Sequence, residues 1–134
     1  MRKKIIILAT LILLGTRLGI AQPSPKQTVK EIKFAFTHNI NLLTDDFYFK
    51  TYLSLSSYEE GFFSPSQSAK LLSDYLSTLP KFKFVISNYS AKGVLAYLSA
   101  KLVFVNQQIE NQKNIFVTLK YINDRWQITQ VTLN

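Results

Sequence analysis

The sequence predicts an α+β domain in which a curved antiparallel sheet packs on two helices to form a cone with one open end. Three observations carry this prediction. The signature Ser-Pro-x-Gln occurs twice, at Ser24-Pro25-Lys26-Gln27 and Ser64-Pro65-Ser66-Gln67, each time ahead of apolar residues at helical spacing. After Pro80 the chain consists of four runs rich in β-branched and aromatic residues, separated by turn residues. An order of helix, strand, short strand, helix and then four strands segregates the helices to one face of a sheet.

The first 21 residues are read separately from the domain. Arg2, Lys3 and Lys4 precede the apolar run Ile5 to Leu14, and Gly19-Ile20-Ala21 places small residues at the positions a signal peptidase reads. The run is 10 residues long, whereas a membrane-spanning helix needs roughly 20. Residues 1–21 are therefore expected to be a signal peptide and residues 22–134 a single domain, exported to the periplasm or secreted, with no membrane attachment after cleavage.

In the first predicted helix, Ser24 is read as the N-cap, Pro25 as the first helical residue and Gln27 as its capping-box partner. Val29, Ile32, Phe36, Ile40 and Leu43 then recur every three or four residues and form one stripe, which runs to about Asp45. Phe47 to Ser57 alternates Phe47, Phe49, Thr51, Leu53 and Leu55 against Tyr48, Lys50, Tyr52, Ser54 and Ser56, the period of a strand with unlike faces. Glu59 to Phe63 either pairs with that strand or turns back towards the second helix. Ser64 opens that helix, Ala69, Leu72, Leu76 and Leu79 form its apolar stripe, and Pro80 ends it.

Four strands follow, at Lys81 to Tyr89, Val94 to Val105, Asn114 to Ile122 and Arg125 to Leu133. Ser90-Ala91-Lys92-Gly93 is read as a turn, Asn106 to Lys113 as a polar loop, and Asn123-Asp124 as a two-residue hairpin turn. In the last strand Trp126 and Ile128 fall on one face while Val131 and Leu133 fall on the other. A β-bulge near Thr129 or Gln130 would bring all four inside, and Trp126 is expected in the core.

Composition narrows the chemistry. There is no cysteine, which removes disulfides, thiol catalysis, thiolate metal sites and the lipidated cysteine of bacterial lipoproteins. Without the leader, twelve basic and eight acidic residues remain, a mild and dispersed positive charge. Lys26, Lys30 and Lys33 read as a solvated helix face rather than a nucleic-acid patch. His38 is the only histidine; with no second imidazole and only scattered carboxylates, no metal is expected. Without a glycine-rich phosphate loop, no nucleotide cofactor is expected either.

Three stretches carry a resemblance. Phe62-Phe63-Ser64-Pro65-Ser66-Gln67-Ser68-Ala69, Ser90-Ala91-Lys92-Gly93, and Ile115 to Lys120 followed by Trp126-Gln127-Ile128 resemble family 4783 of the domains of unknown function. The resemblance implies a small exported bacterial protein with a nuclear-transport-factor-2-like, or cystatin-like, cone. It transfers no active site, and the wider fold hosts isomerases, dehydratases, interaction modules and ligand carriers, so it sets no activity.

Two candidate sites follow from the residues. Phe36, Phe49, Tyr75, Phe84 and Tyr97 are aromatic residues placed to line the cone mouth and take an apolar or planar ligand. The acidic pairs Asp45-Asp46 and Glu59-Glu60, with Tyr48, Tyr52 and Tyr58 nearby, offer a carboxylate and phenols of the kind isomerases of this fold use. On a strand only one of each pair could face the cavity. The reading is thus a non-enzymatic exported domain that binds a small ligand or a protein partner through its cavity or sheet face. The alternatives are a carboxylate-dependent isomerase or hydrolase-like enzyme in the cone, and a homodimer joined sheet to sheet.

Overall fold

A computed structural model of the chain describes residues 23–134; the signal peptide expected at residues 1–21 lies outside them. Helix α1 spans Lys26–His38 and buries Val29, Ile32, Ala35 and Phe36. Its start differs from the sequence reading by one residue. Pro25 itself holds the cap position, Ser24 Oγ accepts a hydrogen bond from the Lys26 amide at 3.2 Å, and no capping box closes because Gln27 is one place out of phase. Its end differs too, because Asn39 is extended, with φ −161°, and breaks the helix after His38. The Asn39 side chain then accepts from the Asn41 amide and starts a 3₁₀ helix, Ile40–Asp46, which keeps Ile40 and Leu43 in the core.

Helix α2, Pro65–Ser77, has the predicted capping box: Ser64 Oγ accepts from the Gln67 amide, and the Gln67 side chain accepts from the Ser64 amide. Two orphan donors are satisfied at once, and removing the hydroxyl at such a cap costs about 1 kcal/mol. Ser64→Ala should therefore lower the urea unfolding midpoint at unchanged m-value, whereas an unchanged midpoint would mean that the cap is replaced by water.

The six strands are β1 (Phe47–Leu55), β2 (Glu59–Phe63), β3 (Phe82–Lys92), β4 (Leu95–Asn106), β5 (Ile109–Ile122) and β6 (Arg125–Leu133). They form one sheet in the order β2-β1-β6-β5-β4-β3. Glu59–Phe63 pairs antiparallel with β1. Every neighbouring pair is antiparallel except β1 with β6, which run parallel. The last strand returns to lie between the first and the fifth.

Three two-residue turns join the long strands. Gly93 takes φ +60° between Lys92 and Leu95, so the turn sits at the end of the predicted stretch. Gln107 and Gln108 both take positive φ, and β4 and β5 continue to that hairpin through what reads as a loop at Asn106 to Lys113. Asn123 and Asp124 form the expected turn, with φ 54° and 63°.

The predicted bulge is present in β6. Thr118 pairs with Gln130 and Leu119 with Ile128, leaving Thr129 as the extra residue, and Trp126, Ile128, Val131 and Leu133 are all buried. β1 carries a larger irregularity: five steps from Phe47 to Tyr52 match two steps of β6 from Ile128 to Gln130. Thr51, fully buried, closes the gap by donating to the carbonyls of Tyr48 and Ile128. The core lies between the sheet and the helices, where Ile32, Leu43, Leu72, Leu53, Leu102 and Ile128 meet.

Candidate functional site

The five aromatics proposed for a cone mouth do not converge. Phe36 and Phe84 are buried and pack on each other with ring centroids 5.1 Å apart. Tyr75 is buried elsewhere, its hydroxyl 3.2 Å from Ser56 Oγ and its ring beside Tyr58. Phe49 is 68% exposed because the β1 irregularity breaks the alternation that would have turned it inward, and it rests on Tyr48. Tyr97 is 51% exposed because its neighbours Ala96 and Leu98 take the inner face. Phe36 lines a depression of about 300 Å³ between the C-terminal ends of the helices.

The carboxylates divide into two unlike settings. Burial and the neighbouring Glu31 carboxylate, which also shares a hydrogen bond with it, push Asp46 up to about 7 from 3.8; Asp45 adds to the rise and Arg125 opposes it. Arg125 Nη1 also donates to the Asp45 carbonyl at 2.7 Å. This pair sits on the flank of the molecule, where Glu31 borders a groove of about 470 Å³ with Gln27, Lys30, Phe34 and Leu42. None of the three phenols considered with the acids lines that groove. In the other setting the Tyr52 hydroxyl donates to Glu60, and that bond raises the phenol's pKa. Both residues lie on the outer surface of the β1–β2 pair. His38 is exposed, stacks on Phe34 and, through Nδ1, donates to the Phe34 carbonyl. Among the described residues, no three of the His, Asp and Glu side chains come together to hold a metal ion.

A third setting is on the outer face of the sheet. Tyr48, Lys50 and Tyr52 of β1, Phe62 of β2, Lys120 and Ile122 of β5, and Thr129 and Gln130 at the β6 bulge line an open groove of about 410 Å³. The pairing register places Phe62, Tyr52, Gln130, Thr118 and Tyr97 in one row across five strands. Lys50 Nζ lies 5.0 Å from the Phe62 ring centroid, and Tyr52 and Phe62 meet edge to face. Alternation in β1 identifies Tyr48, Lys50 and Tyr52 as sharing a face. Lys120 could not be added from sequence, because β5 reaches β1 only through the returning β6.

The family model for a domain of unknown function, DUF4783, matches residues 29–134. The chain belongs to the DUF4783 family. Solved DUF4783 structures agree with the fold. One from Bacteroides uniformis has a TM-score of 0.68 at 12% identity, covering 78% of this chain and 94% of that one. One from Bacteroides ovatus has a TM-score of 0.66 at 11% identity, with 77% and 90% covered. A putative ketosteroid isomerase from Shewanella frigidimarina has a TM-score of 0.62 at 15% identity, with 81% and 92% covered. At such identities the likeness is one of fold, and it identifies the cone as nuclear-transport-factor-2-like. No curated protein matches the sequence.

Proposed function

We propose that this DUF4783 protein is an exported, non-enzymatic binding module that takes its ligand on the outer face of the sheet. The observation that carries the reading is the groove around the β6 bulge, where three aromatic rings, two lysines and two uncharged polar side chains meet on an open surface. The inner-face aromatics Phe36, Tyr75 and Phe84 belong to the packed core. An isomerase in the cone would need a carboxylate in an apolar pocket beside phenol donors. The raised carboxyl, Asp46, has Glu31 as its partner instead and lies on the flank.

Ligand-induced amide shifts in isotope-labelled protein test this proposal. They are expected at Tyr52, Phe62, Lys120 and Gln130. Shifts centred on Phe36, Ile40 and Leu76 would move the site to the groove between the helices. A second reading, a sheet-to-sheet homodimer, is favoured by Phe62, Tyr97 and Phe116, which are exposed apolar residues of the outer face. Sedimentation at increasing concentration separates the two, since a dimer would cover the same rings. Export is part of the proposal, and the intact mass of protein recovered outside the cytoplasm should correspond to a chain beginning at Gln22.

A further inference from the structure

We propose that the groove at the β6 bulge binds an acidic carbohydrate, a chain of sugar rings bearing carboxylates. This rests on the sheet-face reading above and names the ligand class.

Charge is the first argument. Lys50 and Lys120 stand on the strands either side of β6, and no acidic residue lines the groove. Among the described residues the one ion pair is Lys70 with Asp74 on α2, so neither groove lysine is neutralised by a carboxylate within contact distance. The nearest acid by register, Glu60, accepts the Tyr52 hydroxyl. Two ammonium groups without a contact ion pair outweigh the single Glu60 carboxylate that Tyr52 holds at the margin, so the depression favours an anion, and more so at low ionic strength.

The remaining surface argues against a bare anion or a peptide. Ring faces from Tyr48, Tyr52 and Phe62 suit the C–H face of a sugar, and the Thr129 hydroxyl and Gln130 amide suit its hydroxyls. Thr129 already donates to the Thr118 carbonyl, which leaves its oxygen to accept. A peptide commonly docks by adding a strand to an open edge. Here β1, β6 and β5, which carry all of the groove except Phe62, are flanked on both sides, Tyr52 pairing with Phe62 and Gln130 and Thr118 pairing with Gln130 and Tyr97, so recognition over them has to come from side chains; the one open edge beside the groove is that of the five-residue β2. The row continues to Tyr97, three strands from Tyr52 and so about 14 Å away at ordinary strand spacing, long enough for an extended chain of rings.

The test is calorimetric titration of the purified protein with an oligogalacturonate, a neutral cello-oligosaccharide of equal length and a poly-glutamate of equal charge, at low and moderate salt. The oligogalacturonate is expected to bind, to weaken with salt, and to lose about tenfold or more in affinity in the Lys50→Gln/Lys120→Gln double variant and in Phe62→Ala. These side chains lie at the surface, so the melting temperature checks that the fold is intact. Equal binding of poly-glutamate or of the neutral sugar, removed by Phe62→Ala, would overturn the acidic-carbohydrate assignment and leave the sheet-face reading standing. Oligogalacturonate binding that ignores both variants would overturn the two together. No binding by any probe, with a dimer that Phe62→Ala dissociates, would assign the face to a second copy of this chain and overturn the proposal.

Discussion

Trp126→Ala is expected to produce the largest loss of stability of any substitution considered, about 3–5 kcal/mol for truncation of a large buried aromatic. That is a large share of the roughly 5–15 kcal/mol by which a domain is stable. The indole is 6% exposed, packs against Tyr121 with ring centroids 5.5 Å apart, and donates from Nε1 to the Pro23 carbonyl at 2.6 Å. It therefore both fills the core at the start of β6 and ties down the segment that enters α1. The unfolding midpoint should fall steeply in the alanine variant, and wild-type fluorescence should be blue-shifted and poorly quenched by iodide. Trp126→Phe keeps much of the packing but removes the hydrogen bond, worth about 1 kcal/mol, together with part of the ring volume, so its loss should fall well short of the alanine variant's. An alanine variant that melts like wild type would show that the indole is not a core element.

The second large effect concerns Asp46 and pH. Its folded-state pKa of about 7 lies above the ordinary 3.8, so between these values the folded protein holds a proton that the unfolded chain releases. Stability must then fall as pH rises from about 4 to about 7 and stay level above, the reverse of the usual salt-bridged carboxylate. A rise from 3.8 to about 7 would correspond to about 4 kcal/mol for a fully buried group, but this carboxyl is only partly buried, and solvent screening reduces the effect to on the order of 1–2 kcal/mol. Asp46→Asn mimics the protonated acid. It should be close to neutral at pH 4 and stabilising by that amount at pH 8, as the difference between two melting curves measured at each pH. Glu31→Gln should give part of the same gain, and the two should not add because they act on one interaction. If Asp46→Asn is equally destabilising at both pH values, the carboxylate is ionised and held by Arg125, and the shared proton does not exist.

The sites were legible only in part. Asp45-Asp46 stands out in the sequence as an acidic pair, but Glu31, fifteen residues from Asp46 and on a different element, supplies the charge that makes Asp46 unusual. Alternation placed Tyr48, Lys50 and Tyr52 together, yet the same rule turned Phe49 inward, because an irregularity of three extra residues in β1 leaves no mark in the period of side chains. The one-residue bulge in β6 did leave a mark: Trp126 and Ile128 against Val131 and Leu133 is a phase slip visible in the apolar pattern itself.

Local rules therefore determined what is local. The α2 cap, the Asn123-Asp124 hairpin, the apolar stripes of both helices and the α+β order follow from hydrogen bonds and side-chain periods spanning a few residues. Two shifts were local but misread: Asn39 ends α1 early, and Gln107-Gln108 makes a turn although glutamine has no special preference for positive φ. Tertiary structure alone decided that β6 returns to pair parallel with β1, that Thr51 closes the gap between them, that Trp126 reaches Pro23, and that Lys120 joins Lys50 at one groove. Each of these joins residues about seventy or more positions apart. Such contacts form because burying the two apolar faces of helices and sheet admits one arrangement of the strands, and no segment contains that information by itself.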